Sequence, residues 1–190
     1  MRDGFKFRSG RLALDLPATL AARFRAEPRE LLRSPHDLAR WLAAAGLSTG
    51  DATPSAGDLR AARELREALY RLGVASASRS TSGGGRRSAA ADRALVNRWA
   101  ARSPAPQLAD SGWVWDRTDV PSLLAAVARD GVELFGGPLA GRVRQCEGEG
   151  CSLLFVDTSR GGGRRWCSMA GCGNKAKVAE FRQRQRDEGD

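Results

Sequence analysis

Cys146-Glu147-Gly148-Glu149-Gly150-Cys151 and Cys167-Ser168-Met169-Ala170-Gly171-Cys172 decide how this chain is read. They hold all four of its cysteines, and nothing before residue 146 contributes one. Two pairs with four-residue spacers, separated by fifteen residues, form a four-thiolate zinc pattern. Each tight turn supplies two ligands, and the chain between them folds back so that four sulfurs take tetrahedral corners at about 2.3 Å from the ion. Gly148 and Gly150 let the first turn curl around it. Cys146, Cys151, Cys167 and Cys172 leave no open coordination position, so the expected Zn²⁺ is single and structural. A redox site would show a two-residue spacer, which neither pair has.

Working outward, Leu153-Leu154-Phe155-Val156 and Arg164-Arg165-Trp166 are expected as two hairpin strands joined across Ser159 to Gly163. The Gly161-Gly162-Gly163 run lacks a following helix and a Lys-Ser/Thr pair, so it reads as a turn and not a phosphate loop. Gly173 and Asn174 permit an abrupt change of direction, and residues 175–186 contain no helix breaker, so a helix should begin beside the metal. Knuckle, hairpin and helix together make a small treble-clef-like finger. About 45 residues cannot stand on apolar burial alone, so the metal should supply much of the folding free energy.

Charge follows the same boundary. Residues 142–186 carry 10 Lys and Arg against 4 Asp and Glu, whereas the first 141 residues carry 21 against 15. The same net charge packed into a third of the length points to a polyanionic partner. Four thiolates with one Zn²⁺ remove two charges and leave the finger positive. On the terminal helix Lys175, Arg182 and Arg186 share a face and Lys177 and Arg184 adjoin it, with Val178 and Phe181 expected to pack toward the hairpin. Arg142, Arg144, Arg160, Arg164 and Arg165 add charge from the hairpin side. These ten residues are the candidate nucleic-acid contacts, and such contacts weaken steeply with salt.

Residues 1–138 form the other expected unit, mostly helical with a short strand pair, which makes the whole chain α+β; residues 139–190 form the finger. Leu12 to Leu16 alternate and stop at Pro17, as in a short strand or an irregular lead-in. Ser34-Pro35 opens a helix with Leu38, Trp41, Leu42 and Ala45 on one face, ended by Gly46. From Asp58, Leu59, Ala62, Leu65, Leu69 and Leu72 make one apolar stripe. Residues 73–90 are Gly-, Ser- and Ala-rich and are expected as a flexible loop. A short helix is expected over residues 92–102, and Trp113-Val114-Trp115 as a strand paired with part of the first segment. Pro121 starts a further helix, and Gly136-Gly137-Pro138 marks the boundary.

Met1 to Leu12 is charged throughout and lacks a signal-peptide core, and no apolar run approaches the roughly 18 residues of a membrane span. A cytoplasmic location is expected, where clustered cysteines bind metal in preference to forming disulfides. His36 is expected at the surface and Asp15 in a structural hydrogen bond. No catalytic set emerges, so the chain is not expected to be an enzyme.

Arg144-Gln145-Cys146, Leu154-Phe155-Val156-Asp157-Thr158-Ser159-Arg160, Arg165-Trp166-Cys167-Ser168-Met169 and Cys172-Gly173-Asn174-Lys175-x-Lys177 closely resemble the CGNR zinc finger family. Upstream, Leu12-Ala13-Leu14-Asp15-Leu16-Pro17-Ala18-Thr19 and Leu31-Leu32-Arg33-Ser34-Pro35-x-Asp37-Leu38-x-x-Trp41-Leu42 resemble the ABATE domain that commonly precedes such fingers. The resemblance implies a bacterial, stress-related transcription regulator whose finger binds DNA. Lys175 stands where the signature has Arg, which keeps the charge and loses the bidentate fork. Ala18 stands where the family usually has Asn.

Two functions follow as expectations. In the first, the finger contacts DNA while the helical body senses a small-molecule or protein signal or mediates association. In the second, the zinc unit is a platform for a protein or RNA partner, anchored by Phe155 and Trp166 if these are exposed.

Overall fold

Ser55 and Asp58 exchange hydrogen bonds, Asp58 N–H to Ser55 Oγ at 3.1 Å and Ser55 N–H to Asp58 Oδ2 at 2.8 Å, and this capping box starts the longest helix. The helix is α3, Ala56–Ser78. The computed structural model describes residues 2–48, 50–78, 86–110 and 112–187. Within them the helical elements are α1 (Leu12–Asp15), α2 (Pro35–Ala44), α3, α4 (Arg86–Ala100), α5 (Val120–Gly136) and α6 (Asn174–Asp187). The strands are β1 (Leu20–Ala21), β2 (Arg29–Glu30), β3 (Pro106–Ala109), β4 (Gly112–Trp115), β5 (Val143–Gln145) and β6 (Leu154–Val156). They pair as three antiparallel couples, β1 with β2, β3 with β4 and β5 with β6.

The expected stripe of α3 is buried, and with Val96 of α4 and Leu123, Leu124, Val127 and Ala128 of α5 it forms the main core. α2 adds Leu38, Trp41 and Leu42, all fully buried. Its start matches the sequence reading, with Ser34 and Asp37 forming a reciprocal cap and Gly46 following at φ +75°.

Three expectations are corrected here. Leu12 to Asp15 is helical, followed by a 3-10 turn over Pro17–Thr19. The alternation misleads because Ala13, Leu14 and Asp15 are all buried, and the Ala13 N–H is capped from α5 by Asp130 Oδ2 at 2.8 Å. The span expected as a loop is helical over residues 73–78 and again from residue 86; residues 79–85 lie outside the described residues. Strand β4 pairs with its neighbour β3, and the N-terminal segment instead forms its own short couple, β1–β2.

Buried charge pins that couple to α3. Arg66, 4% exposed, bonds Glu30 at 2.7 Å and Glu67 at 2.9 Å, and Glu67 receives Arg23 at 2.6 Å. Opposed charges hydrogen-bonded in a chain offset the desolvation that an unpaired guanidinium would suffer. Among the described residues, no helix is long and apolar enough to cross a membrane.

Candidate metal centre

β5 and β6 run antiparallel with Val143 opposite Val156, Arg144 opposite Phe155 and Gln145 opposite Leu154. Strand β6 is buried throughout, and its partner is β5, not residues 164–166 as the sequence suggested. Only Val143 of β5 is fully buried, so the strand leaves little apolar pattern to read. Cys146 N–H continues the ladder to Leu153 O at 2.9 Å, which sets the first pair of cysteines at the hairpin tip. There the Cys151 N–H closes a turn onto Gly148 O at 2.9 Å, and Gly150 sits at φ +65°. That left-handed position favours glycine, and a Cβ there would also meet Arg25 Nε at 2.7 Å.

The second pair is brought in by Asp157. Its buried carboxylate accepts from Ser159 N–H at 2.9 Å, Ser159 Oγ at 2.6 Å and Arg164 N–H at 2.9 Å. The Ser159 hydroxyl is the largest cause of a carboxyl pKa lowered to about 2, reinforced by the Arg164 and Ser159 amides. Arg164 then donates from Nε to Trp166 O at 2.9 Å and from its second nitrogen to Cys167 O, while its guanidinium lies 4.4 Å over the Phe155 ring. Glu147 N–H reaches Arg165 O at 3.0 Å and ties the returning chain to the first knuckle. Cys172 lies in a π-helical turn, Met169–Gly173, that runs directly into α6.

All four Sγ atoms lie within 4.8 Å of one another, and Cys167 Sγ is 3.7 Å from Cys172 Sγ. A tetrahedron with Zn–S bonds of about 2.3 Å has edges of about 3.8 Å, so the sulfur set fits one zinc ion. Two backbone amides converge on Cys146 Sγ, Gly148 N–H at 3.4 Å and Cys167 N–H at 3.3 Å, where they can stabilise thiolate charge. The hydrogen bond from Cys167 is the first cause pulling the Cys151 thiol down to about 5. The same bond pushes Cys167 up, and burial raises Cys172 to about 11. The zinc is structural: among the described residues the cluster consists of these four sulfurs, which fill a tetrahedral shell.

The centre packs against the body. Ala18 belongs to the same apolar cluster as Cys146, Leu153, Phe155 and Cys167, so this position abuts the sulfur site. Leu154 and Val156 join Leu14, Leu134 and Val143 in a second cluster, with Tyr70, Val74 and Ala77 of α3 against it. Arg23 N–H bonds Ser152 Oγ at 3.3 Å beside the first knuckle. Nothing in the sequence marked these contacts, which join residues far apart along the chain.

The ten candidate basic residues separate into two groups. Arg142 and Arg144 donate to backbone carbonyls of Ser159, Gly141 and Val143, Arg164 is a strut of the metal loop, and Arg165 pairs with Glu147 at 2.6 Å. Arg160 is exposed and makes no side-chain bond among the described residues. Lys175, Lys177, Arg182, Arg184 and Arg186 lie on α6, at or near its open surface. No residue of α6 is buried: Val178 is 48% and Phe181 59% exposed, which overturns the expectation that they pack on the hairpin. Phe155 is fully buried and Trp166 half-buried under Arg165, so the proposed partner anchors are part of the finger's own packing. His36 is exposed, at the surface position expected for it, and Asp15 is buried and accepts the Ser9 N–H at 3.2 Å.

A family model described as "Putative stress-induced transcription regulator", ABATE, matches residues 10–138. The CGNR zinc finger model matches residues 142–185. The search of curated proteins returns no match.

Proposed function

This chain belongs to the ABATE family and carries a CGNR zinc finger, a premise from which we propose that it is a DNA-binding transcription regulator. Neither matched family is an enzyme family. In this reading the protein is cytoplasmic and bacterial, acts in a stress response, and its helical body receives a small-molecule or protein signal. Cys146, Cys151, Cys167 and Cys172 hold the ion, and the ion supplies no chemistry beyond cross-linking the knuckle to the start of α6.

One observation carries the reading: a helix that begins in the metal site, buries none of its residues and bears five cations. Held by its own end, such a helix can lie along a phosphate-lined groove without unfolding anything. Arg160 offers a sixth cation from the neighbouring loop. The remaining hairpin arginines hold the finger together, so the candidate DNA-binding set reduces from ten residues to about six.

The test is a salt titration of duplex binding by the intact, zinc-loaded chain. Arg182, Arg184 and Arg186 changed to Ala should leave zinc bound and weaken binding. The log-log salt slope should flatten by about 0.9 for each phosphate that is no longer neutralised. Salt slopes identical in wild type and variant would remove the reading.

A further inference from the structure

The terminal helix is not a uniform cationic rod. At 100° per residue, Val178, Phe181 and Gln185 form one ridge along α6. Lys175 and Arg182 lie on one flank of it, and Lys177 and Arg184 on the other. Glu180 and Asp187 fall on the reverse side. A helix made only for solvent would place charge along the ridge, yet two large apolar side chains stand there about half exposed.

Resting on the DNA reading above, we propose that α6 enters the major groove of duplex DNA, with Val178 and Phe181 against thymine methyl groups and the flanking cations on the phosphates of both strands. The major groove is about 12 Å wide and admits one helix, and its walls are anionic on both sides. A helix with cations on two flanks and an apolar crest matches that cross-section. The thymine C5-methyl is the apolar feature a base pair presents there, and the crest has no donor or acceptor at residues 178 and 181 to read anything else. The acidic reverse side faces away from the duplex.

Other occupants fit less well. Two copies of α6 brought crest to crest would set Lys and Arg against Lys and Arg on both flanks, which disfavours pairing. A membrane-surface helix needs a broad apolar face, and two large apolar residues on a helix of this length do not provide one.

The experiment starts by selecting preferred duplexes from a random pool with the intact zinc-loaded chain. Binding is then measured on the selected duplex, a scrambled one, and the selected duplex with uracil in place of thymine. Wild type should prefer the selected duplex over both others, by about tenfold for a few methyl contacts. Val178→Ala with Phe181→Ala should lose both preferences, binding all three duplexes alike, while the salt slope stays that of wild type. Because both residues are exposed, zinc content and helicity should not change.

Selectivity retained in the double variant, or indifference of wild type to uracil, overturns the inference while leaving the DNA reading in place. Absence of binding to any duplex defeats the DNA reading itself. If size-exclusion shows the double variant dissociating a wild-type dimer, or vesicle flotation shows it releasing wild type from anionic lipid, the crest serves another surface and the inference is wrong.

Discussion

Leu154 of β6 occupies the space where a side chain on Gly73 of α3 would begin: a Cβ at residue 73 would stand 2.5 Å from Leu154 Cδ1. The glycine is needed for close approach, since the helix runs through it without a break. Here the finger strand is seated in the helical body.

Gly73→Ala should therefore destabilise the protein, although Ala is the better helix former by about 1 kcal/mol. Overpacking costs about 1–3 kcal/mol. Leu154→Ala alone should cost about 2–5 kcal/mol by leaving a cavity. The double variant should be more stable than the sum predicts by about 1 kcal/mol or more, read from urea melts. Strict additivity would show that the two residues do not compete for this space.

Zinc removal should be felt beyond the finger. Cys172→Ser, or a strong chelator, should remove one zinc by native mass spectrometry. It should also lower the melting temperature of the whole chain, because β6 is shared with the body's second core cluster. An unchanged melting temperature after complete metal loss would show that finger and body fold separately.

Burial raises the Asp15 carboxyl to about 6, and the Ser9 hydrogen bonds only partly oppose this. The folded state holds this proton more tightly than the unfolded chain, so the contribution of Asp15 to stability is greatest below about pH 4 and falls as pH rises to about 6. Asp15→Asn should abolish that slope and gain roughly 2 kcal/mol at neutral pH, with its Oδ1 still accepting from Ser9. Denaturant melts at pH 4.5 and 7.5, with variant compared to wild type at each, decide it. A variant that tracks wild type at both would refute the account.

The arginines of the finger should divide by role. Arg164→Lys keeps the charge and loses the fork that holds two carbonyls, so stability should drop by about 1–2 kcal/mol. Arg160→Ala, at an exposed position, should cost nothing measurable in stability and should weaken DNA binding instead. The reverse pattern would exchange their roles.

Asp157→Ala would leave three donors facing no acceptor, at a cost of about 2 kcal/mol or more, and should loosen zinc. In wild type the carboxylate should stay ionised until pH falls to about 2. Its contribution is thus complete above about pH 4 and lost below. A metal-exchange rate equal to wild type would discard this role.

What was legible in the sequence was local. Cysteine spacing, the Ser34 cap and the α3 stripe each act within a few residues, and the structure repeats them. The misreadings in the body and the hairpin involve distant partners. Residues 73–78 look like loop because their small side chains cannot bury much alone; Val74 and Ala77 are covered by β5 and β6. Leu12 to Asp15 looks extended because its cap comes from Asp130. β6 finds Val143 and not Arg164, because the arginine is drawn into the metal loop by Asp157. The outward crest of α6 was misjudged because helical spacing shows which residues share a face and not what that face meets.

The π-helical turn that carries Cys172 continues without interruption into α6, so the metal acts as the fixed bearing for the helix's azimuth. One residue inserted after Cys172 would swing every later side chain by about 100° and raise it about 1.5 Å, presenting Glu180 near where Phe181 now stands. The ion thereby dictates compass direction, and the length of the span between residue 172 and residue 175 sets where every later side chain of the helix points.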